Sequence, residues 1–128
     1  MGLDMYAFTC DQEQIGDKQV DIDLEKIKEL DKKFAYWRKF NNLHQWMADL
    51  YFKKGGQSSS FNCDTVRLMR EDLDRLEAEA KTLKPASGFF WGDEDEMTPE
   101  ATQEVLEFVS KARLAIANGK AVIYDSWW

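Results

Sequence analysis

The sequence predicts an α+β fold, with three main helices packed on a mostly antiparallel sheet of about four to five short strands. Strand-like and helix-like patterns follow one another along the chain. The predicted strands are too short and too varied in polarity for a buried parallel sheet. The length of 128 residues suits one domain. We therefore expect residues 1–128 to form a single domain whose helices cover one face of the sheet.

The first segment predicts two strands joined by a turn. Residues 3–10 have the aromatic and β-branched composition of a strand. Residues 20–24 alternate apolar and acidic side chains, which is typical of a half-buried strand. The intervening residues 11–17 contain Gly16 and predict the turn of a hairpin.

Residues 25–53 have a helical spacing of apolar and ring-bearing side chains. The residues that recur every three or four positions are Ile27, Leu30, Phe34, Trp37, Asn41, His44, Ala48 and Tyr51. The spacing predicts one long helix, or two helices if Asp31 caps a second start. Two lysines followed by two glycines at residues 53–56 predict the end of the helix.

The second half of the chain predicts alternating strands and helices. Thr98 followed by Pro99 is typical of a helix start, because a capping hydroxyl precedes proline at the first helical position. This helix is expected to span residues 98–118. The other predicted elements are strands at 63–68, 88–92 and 121–128 and a helix at 69–83. The acidic residues 93–96 predict a solvated turn, since they lack the ligand spacing of a calcium loop.

Charge is distributed unevenly along the chain. The formal net charge is −7, yet residues 26–54 hold eight basic and three acidic residues, a local +5. The remaining residues include nine basic and twenty-one acidic ones, which leaves −12. Binding to duplex DNA rests on many lysine and arginine contacts to phosphate groups. The charge therefore argues against duplex DNA as a partner.

The sequence favours a cytoplasmic location. No apolar run follows a basic start, and no window approaches the length of a membrane span. Cys10 and Cys63 follow no metal or redox spacing, so they are expected to be reduced. We predict a soluble protein of the cytoplasm that has no membrane partner and binds no cofactor.

Residues 36–46 contain most of the side chains that are candidates for ligand binding or catalysis. On one long helix, Trp37, Asn41 and His44 would align and face the core. Two interpretations stay open. The first is a buried hydrogen-bond network, because unpaired buried polar groups are costly. The second is a pocket floored by Asn41 and His44, in which His44 exchanges protons near neutral pH and Asp4 and Arg38 contribute. No metal is predicted, since His44 is the only histidine.

Three tryptophans are candidate interface residues. The same helical phase places Trp46 on the outer side, beside Arg38 and Lys39, where tryptophan is typical of a binding surface. Trp127 and Trp128 end the chain and are candidates for self-association. Motifs of nucleophilic catalysis and of phosphate binding are absent from the sequence. The chain is therefore poorly equipped as an enzyme, and its catalytic residues are unknown.

Four short motifs resemble a known group of proteins. They are residues 1–6 (MGLDMY), residues 36–46 with the pattern YWRKxNxxHxW, residues 87–92 (SGFFWG) and residues 124–127 (YDSW). On these motifs the chain resembles small uncharacterised proteins encoded by bacteriophages and prophages. The resemblance implies a virus-derived accessory protein in the host cell, and its pattern falls on Asp4, Arg38, Asn41 and His44. A shorter stretch before Ser87 and the additional Trp128 depart from the pattern.

Three functional hypotheses follow. The first is an interaction module that acts on a host macromolecule, most simply a host protein. The alternative is a small-molecule or nucleotide-binding enzyme with the pocket at Asn41 and His44. The third is assembly of a homo-oligomer through Trp127 and Trp128.

Overall fold

The computed structural model describes residues 2–84 and 97–128. The secondary structure elements are β1 (Asp4–Asp11), β2 (Asp31–Arg38), α1 (Asn41–Lys53), β3 (Val66–Leu68), α2 (Arg70–Glu79), α3 (Pro99–Ala117) and β4 (Lys120–Trp127). The strands form one sheet in the order β2-β1-β4-β3, and every neighbouring pair is antiparallel. The predicted α+β class is confirmed. The strand expected at 88–92 and the turn expected at 93–96 lie outside the described residues.

One face of the sheet carries the main core. Successive side chains of a strand point to opposite faces, so Met5 and Ala7 of β1 lie on the same face as Val122 and Tyr124 of β4. All four are buried in the same apolar cluster. The helical residues of this cluster include Leu43, Met47, Leu50, Leu73, Leu76, Val105, Phe108, Val109 and Ala112. The three helices therefore cover this face, which we call the helix face.

The opposite face is covered over only part of its area. Cys10 of β1 and Ile123 of β4 lie on this face and pack in a second cluster with Ile15 and Ile22. The chain between β1 and β2 supplies this cover. It does not extend over the other end of the face, where Tyr36 is 56% exposed and Trp127 is 65% exposed. We call this end, which no helix or loop among residues 2–84 and 97–128 covers, the open face.

The prediction of a helix from residue 25 is wrong. Residues 31–38 form β2, and the helix begins only at Asn41. The turn between them includes Lys39, which has a φ of +55° and donates its backbone N–H to the carbonyl of Leu3. The strand is irregular, because Ala7 pairs with Ala35 whereas Thr9 pairs with Asp31. This irregularity places Phe34 and Trp37 in the same core three residues apart, which imitates a helical period.

The prediction of a strand at 20–24 is also wrong. Val20 forms an isolated bridge with Val66, and residues 24–26 form a 3-10 turn. Asp21 has a φ of +53°, which an extended strand does not allow. The alternation at residues 20–24 has a different origin, since Val20 packs against the main core and Ile22 against the second cluster.

The other predicted helices and strands that fall within the described residues agree with the structure. β1, β3, β4 and α2 form where strand and helix patterns were expected. α3 begins after Thr98, whose side-chain oxygen accepts the N–H of Ala101 at 3.0 Å. α1 ends at Lys53, and Gly55 follows with a φ of +92°. Here the local signals of capping and glycine determined the element ends.

A network around Tyr51 fixes the loop after α1. The Tyr51 hydroxyl donates to Asp21 at 2.5 Å and accepts the N–H of Ser58 at 2.8 Å. Gly56 lies against the Tyr51 ring so closely that an added Cβ would be 2.2 Å from two ring carbons. Tyr51 is fully buried, so the ring has little freedom to move away.

We expect Gly56→Ala to destabilise the fold by about 3 kcal/mol, because overpacking a buried ring forces backbone movement. Gly16→Ala is the control. Gly16 has a φ of +56° and no heavy atom within 4 Å of its Cβ position, so backbone strain alone should cost about 1 kcal/mol. Chemical denaturation followed by circular dichroism measures both. Equal losses would show that the contact between Gly56 and Tyr51 is not tight.

Candidate functional site

The residues singled out from the sequence do not form one site. Asp4 and Arg38 are paired across β1 and β2 and lie on the open face. Trp37 lies on the helix face, where its ring meets Phe108 edge-on with 4.9 Å between centroids. Asn41 and His44 lie in the first turn of α1 and are buried. The alignment of Trp37 with Asn41 and His44 on one helix is therefore wrong, because β2 ends before α1 begins.

The expectation that Asn41 and His44 project inward from a helix is confirmed. His44 is 0% exposed, and its Nδ1 lies 2.6 Å from the hydroxyl oxygen of Tyr124. Its ring also packs against Phe61, with 5.1 Å between centroids. Burial lowers the pKa of His44 to about 3. His44 is thus neutral near neutral pH, which contradicts the idea that it exchanges protons there.

Two cavities of the described residues lie away from His44. A groove of about 610 Å³ runs between β2 and α3 and is lined in part by Arg38, Glu104 and Lys111. A smaller cavity of about 160 Å³ lies at the start of α2. Neither is lined by Asn41 or His44. The burial of His44 and its contact with Tyr124 fit the buried-network interpretation.

Trp46 is not an exposed interface residue. It is only 8% exposed and packs in the main core, and the Arg75 guanidinium of α2 lies 5.3 Å from its ring centroid. The error follows from the helical phase, which was taken from residues that belong to β2. Trp128 is half-buried, and its indole N–H donates to the carbonyl of Phe61 at 3.1 Å. Of the three candidate tryptophans, Trp127 alone is largely exposed.

The open face combines aromatic rings with carboxylates. Its residues, which we call the aromatic–acidic patch, are Asp4, Tyr6, Tyr36, Arg38, Asp125 and Trp127. The register places Tyr36, Tyr6 and Asp125 side by side across β2, β1 and β4. A second row consists of Arg38, Asp4 and Trp127. With strands about 4.8 Å apart, each row spans about 10 Å.

Contacts within the patch hold its rings in place. The Tyr36 hydroxyl donates to Asp4 Oδ1 at 2.6 Å, and Arg38 Nε lies 4.0 Å from the same oxygen. The Tyr6 ring lies between those of Tyr36 and Phe8, with centroid distances of 5.3 and 5.7 Å. Cross-strand aromatic pairs of this kind stabilise a sheet. They also leave the outer face of Tyr36 open to solvent.

Asp125 is the unusual charged group of the patch. Burial raises its pKa to about 6, and the nearby carboxylate of Asp64 acts in the same direction. Its Oδ1 accepts the N–H of Ser126 at 2.9 Å. Within residues 2–84 and 97–128, no lysine or arginine forms an ion pair with it. Perturbed carboxylates in such surroundings are enriched at functional sites.

Three residues of the patch, Tyr6, Tyr36 and Asp125, were not among the site residues predicted from the sequence. A signal for Tyr36 was present, since residues 34–38 are rich in aromatic side chains and such residues favour strands. A two-residue period would then have placed Tyr36 and Trp37 on opposite faces. The pairing of β1 with both β2 and β4 is a long-range property that local patterns do not reveal.

The described residues limit the other kinds of site. No three histidine, cysteine, aspartate or glutamate side chains among them converge closely enough to hold a metal ion. In the same part of the chain, no helix has the length and apolar character needed to cross a membrane. Cys10 and Cys63 are both free thiols.

Protein-family models, curated proteins and solved structures were each compared with the chain, and none of them matches it. The resemblance to phage-encoded proteins therefore stays a prediction. The aromatic–acidic patch is the surface whose geometry best fits a binding role.

We expect Tyr124→Phe to destabilise the fold by about 1–3 kcal/mol, because His44 then loses a buried hydrogen-bond partner. Tyr6→Phe removes a hydroxyl from the half-buried ring of the patch and should change stability by less than about 0.5 kcal/mol. Urea denaturation compares the two variants. Similar effects for both would contradict a structural role for the contact between Tyr124 and His44.

Asp125→Asn should increase stability at neutral pH. The pKa of Asp125 is raised from 3.8 to about 6, so the folded chain binds this proton more tightly than the unfolded chain. This tighter proton binding stabilises the fold fully below about pH 4, and the stabilisation is lost as the pH rises through about 6. The stability of Asp125→Asn relative to wild type should therefore rise by about 2–3 kcal/mol between about pH 4 and about pH 7.

Thermal and chemical denaturation at a series of pH values measures this difference. Glu104→Gln, which removes an exposed carboxylate on α3, is the control and should show the smaller change. A difference between Asp125→Asn and wild type that does not vary with pH would show that Asp125 is as well solvated in the fold as in the unfolded chain.

Proposed function

We propose that this protein is an interaction module that binds a host macromolecule through the aromatic–acidic patch. The observation that carries the proposal is the pairing of exposed aromatic side chains with a partly buried, ionisable carboxylate at the uncovered end of the sheet. The described residues include four exposed large hydrophobic side chains, Tyr36, Phe52, Leu114 and Trp127. Tyr36 and Trp127 both belong to this patch.

Energetic considerations favour a role in binding over a purely structural one. Trp and Tyr are the side chains most enriched among residues that dominate binding energy. An ionised, half-buried Asp125 costs stability at neutral pH, and such costs are typical of sites kept for function. Tyr36, Asp125 and Trp127 are not part of the main core, which lies on the helix face.

The same geometry does not favour the enzyme alternative. His44 is fully buried, and burial lowers its pKa to about 3, so its side chain is neutral near neutral pH. Asp4 and Arg38 lie on the opposite face of the sheet from Trp37. The proposed host partner is consistent with the resemblance to phage-encoded proteins.

A capture experiment with matched variants tests this function. Tagged wild-type protein, the double variant Tyr36→Thr/Trp127→Thr and the control Leu114→Gln are incubated with bacterial lysate, and bound macromolecules are quantified. Threonine preserves strand propensity, and Leu114 matches Trp127 in exposure, at 64% against 65%. We expect the double variant to capture at least about tenfold less partner than wild type, because aromatic side chains of this kind dominate the binding energy of interfaces.

The control should retain the partner, and circular dichroism should show that all three proteins are folded. Retention of the same partner by the double variant would contradict binding through the patch. Mass measurement in solution adds the test for self-association. A wild-type dimer that the double variant abolishes would replace the host partner by a second copy of the chain.

A further inference from the structure

The electrostatics of the open face are dominated by carboxylates. Asp4 and Asp125 belong to the patch, and Asp64 lies close enough to raise the pKa of Asp125. Arg38 is the cation of the patch, and it faces Asp4 rather than Asp125. Three carboxylates against one guanidinium leave a local charge of about −2, so the face complements a cation.

The aromatic side chains add a second attraction for the same kind of ligand. The faces of Tyr and Trp rings attract cations that lie within about 6 Å of the ring centre. The exposed rings of Tyr36 and Trp127 flank Tyr6 and Asp125 across the three strands. Trp127 is two residues from Asp125 on the same face of β4, so a cation that rests on the Trp127 ring would lie beside the Asp125 carboxylate.

Asp125 has hydrogen-bonding capacity to spare. The ionised carboxylate can accept about four hydrogen bonds. In the structure, its Oδ1 accepts one from the N–H of Ser126. Among the described residues, the remaining capacity is not used by an ion pair. A donor with planar, paired N–H groups suits both a carboxylate and a stacked aromatic ring, and the arginine guanidinium has this geometry.

We propose that the partner inserts an arginine side chain onto the aromatic–acidic patch, where its guanidinium stacks on the exposed Trp127 ring and pairs with Asp125. The inference rests on the proposed function and names the chemistry of the partner. Lysine fits less well, because its ammonium group is a strongly hydrated point charge that does not stack. A metal ion lacks the converging ligands it requires within the described residues.

Peptide titrations test the inference independently of any lysate. Oligo-arginine, oligo-lysine and oligo-citrulline peptides of equal length are added to the protein, and side-chain NMR signals of Tyr6, Tyr36 and Trp127 are followed. Citrulline preserves the shape of arginine without its charge. We expect shifts with oligo-arginine, weaker ones with oligo-lysine and none with oligo-citrulline. Added salt should weaken the binding.

Asp125→Asn should reduce the affinity for oligo-arginine about tenfold, because a charge-assisted hydrogen bond is lost. Asp49→Asn, which removes one exposed carboxylate from α1 on the other side of the sheet, should leave the affinity unchanged. Binding to wild type should strengthen as the pH rises from about 5 to about 7, since Asp125 ionises over this range. The other titratable or charged groups around Asp125 are Asp4, Tyr6, Tyr36, Arg38, Cys63, Asp64 and Tyr124. Asp125→Asn isolates its contribution from theirs, so the pH dependence should disappear in that variant.

Several outcomes would overturn the inference. Absence of shifts with oligo-arginine, or equal affinity of wild type and Asp125→Asn, would exclude an arginine at this place. Stronger binding of a single-stranded oligonucleotide to the same residues would identify a nucleic-acid partner instead. Concentration-dependent shifts without peptide would identify a second copy of the chain. In any of these cases, the lysate capture decides the proposed function separately. If capture of the partner still requires Tyr36 and Trp127, the protein is an interaction module and only the inserted arginine is refuted.

Discussion

The pairing of β1 with two neighbouring strands is the constraint on which the structure depends. β1 is matched with β4 along its full length and with β2 over its first half. Because side chains alternate along a strand, this pairing assigns Met5 and Ala7 to the helix face and Asp4 and Tyr6 to the other. A shift of one residue would exchange the two sets and expose the core. The core and the patch are therefore two results of one register.

The two faces are completed in different ways, and this difference leads to the proposed role. Three helices close the helix face, where His44 and Tyr124 form a buried contact. The chain between β1 and β2 covers only part of the opposite face. At the uncovered end, Asp125 is buried enough to have a raised pKa and exposed enough to meet a ligand. A cationic partner would stabilise the ionised form of Asp125, so binding would offset the cost that the free protein bears.

Local sequence signals predicted the elements that are regular and missed those that are not. Alternation and capping located β1, β4 and α3, because these elements depend on neighbouring residues. β2 was assigned to a helix, since its irregular pairing brings Phe34 and Trp37 into one core with a spacing of three. Trp46 was expected on the surface, but α1 is buried on most sides between the sheet and α2. The patch depends on which strands pair. The paired strands are far apart in the sequence, so local patterns do not predict their pairing.

The assignment of side chains to the two faces of the sheet is tested most directly by solvent exposure. The aromatic side chains to compare lie on opposite faces of β2 and of β4. A soluble paramagnetic agent broadens the NMR signals of exposed side chains and leaves buried ones sharp. The account predicts strong broadening for Tyr36 and Trp127, at 56% and 65% exposure, and protection for Trp37 and Tyr124, at 9% and 0%. Protection of Tyr36 together with broadening of Trp37 would reverse the assigned faces and contradict the account.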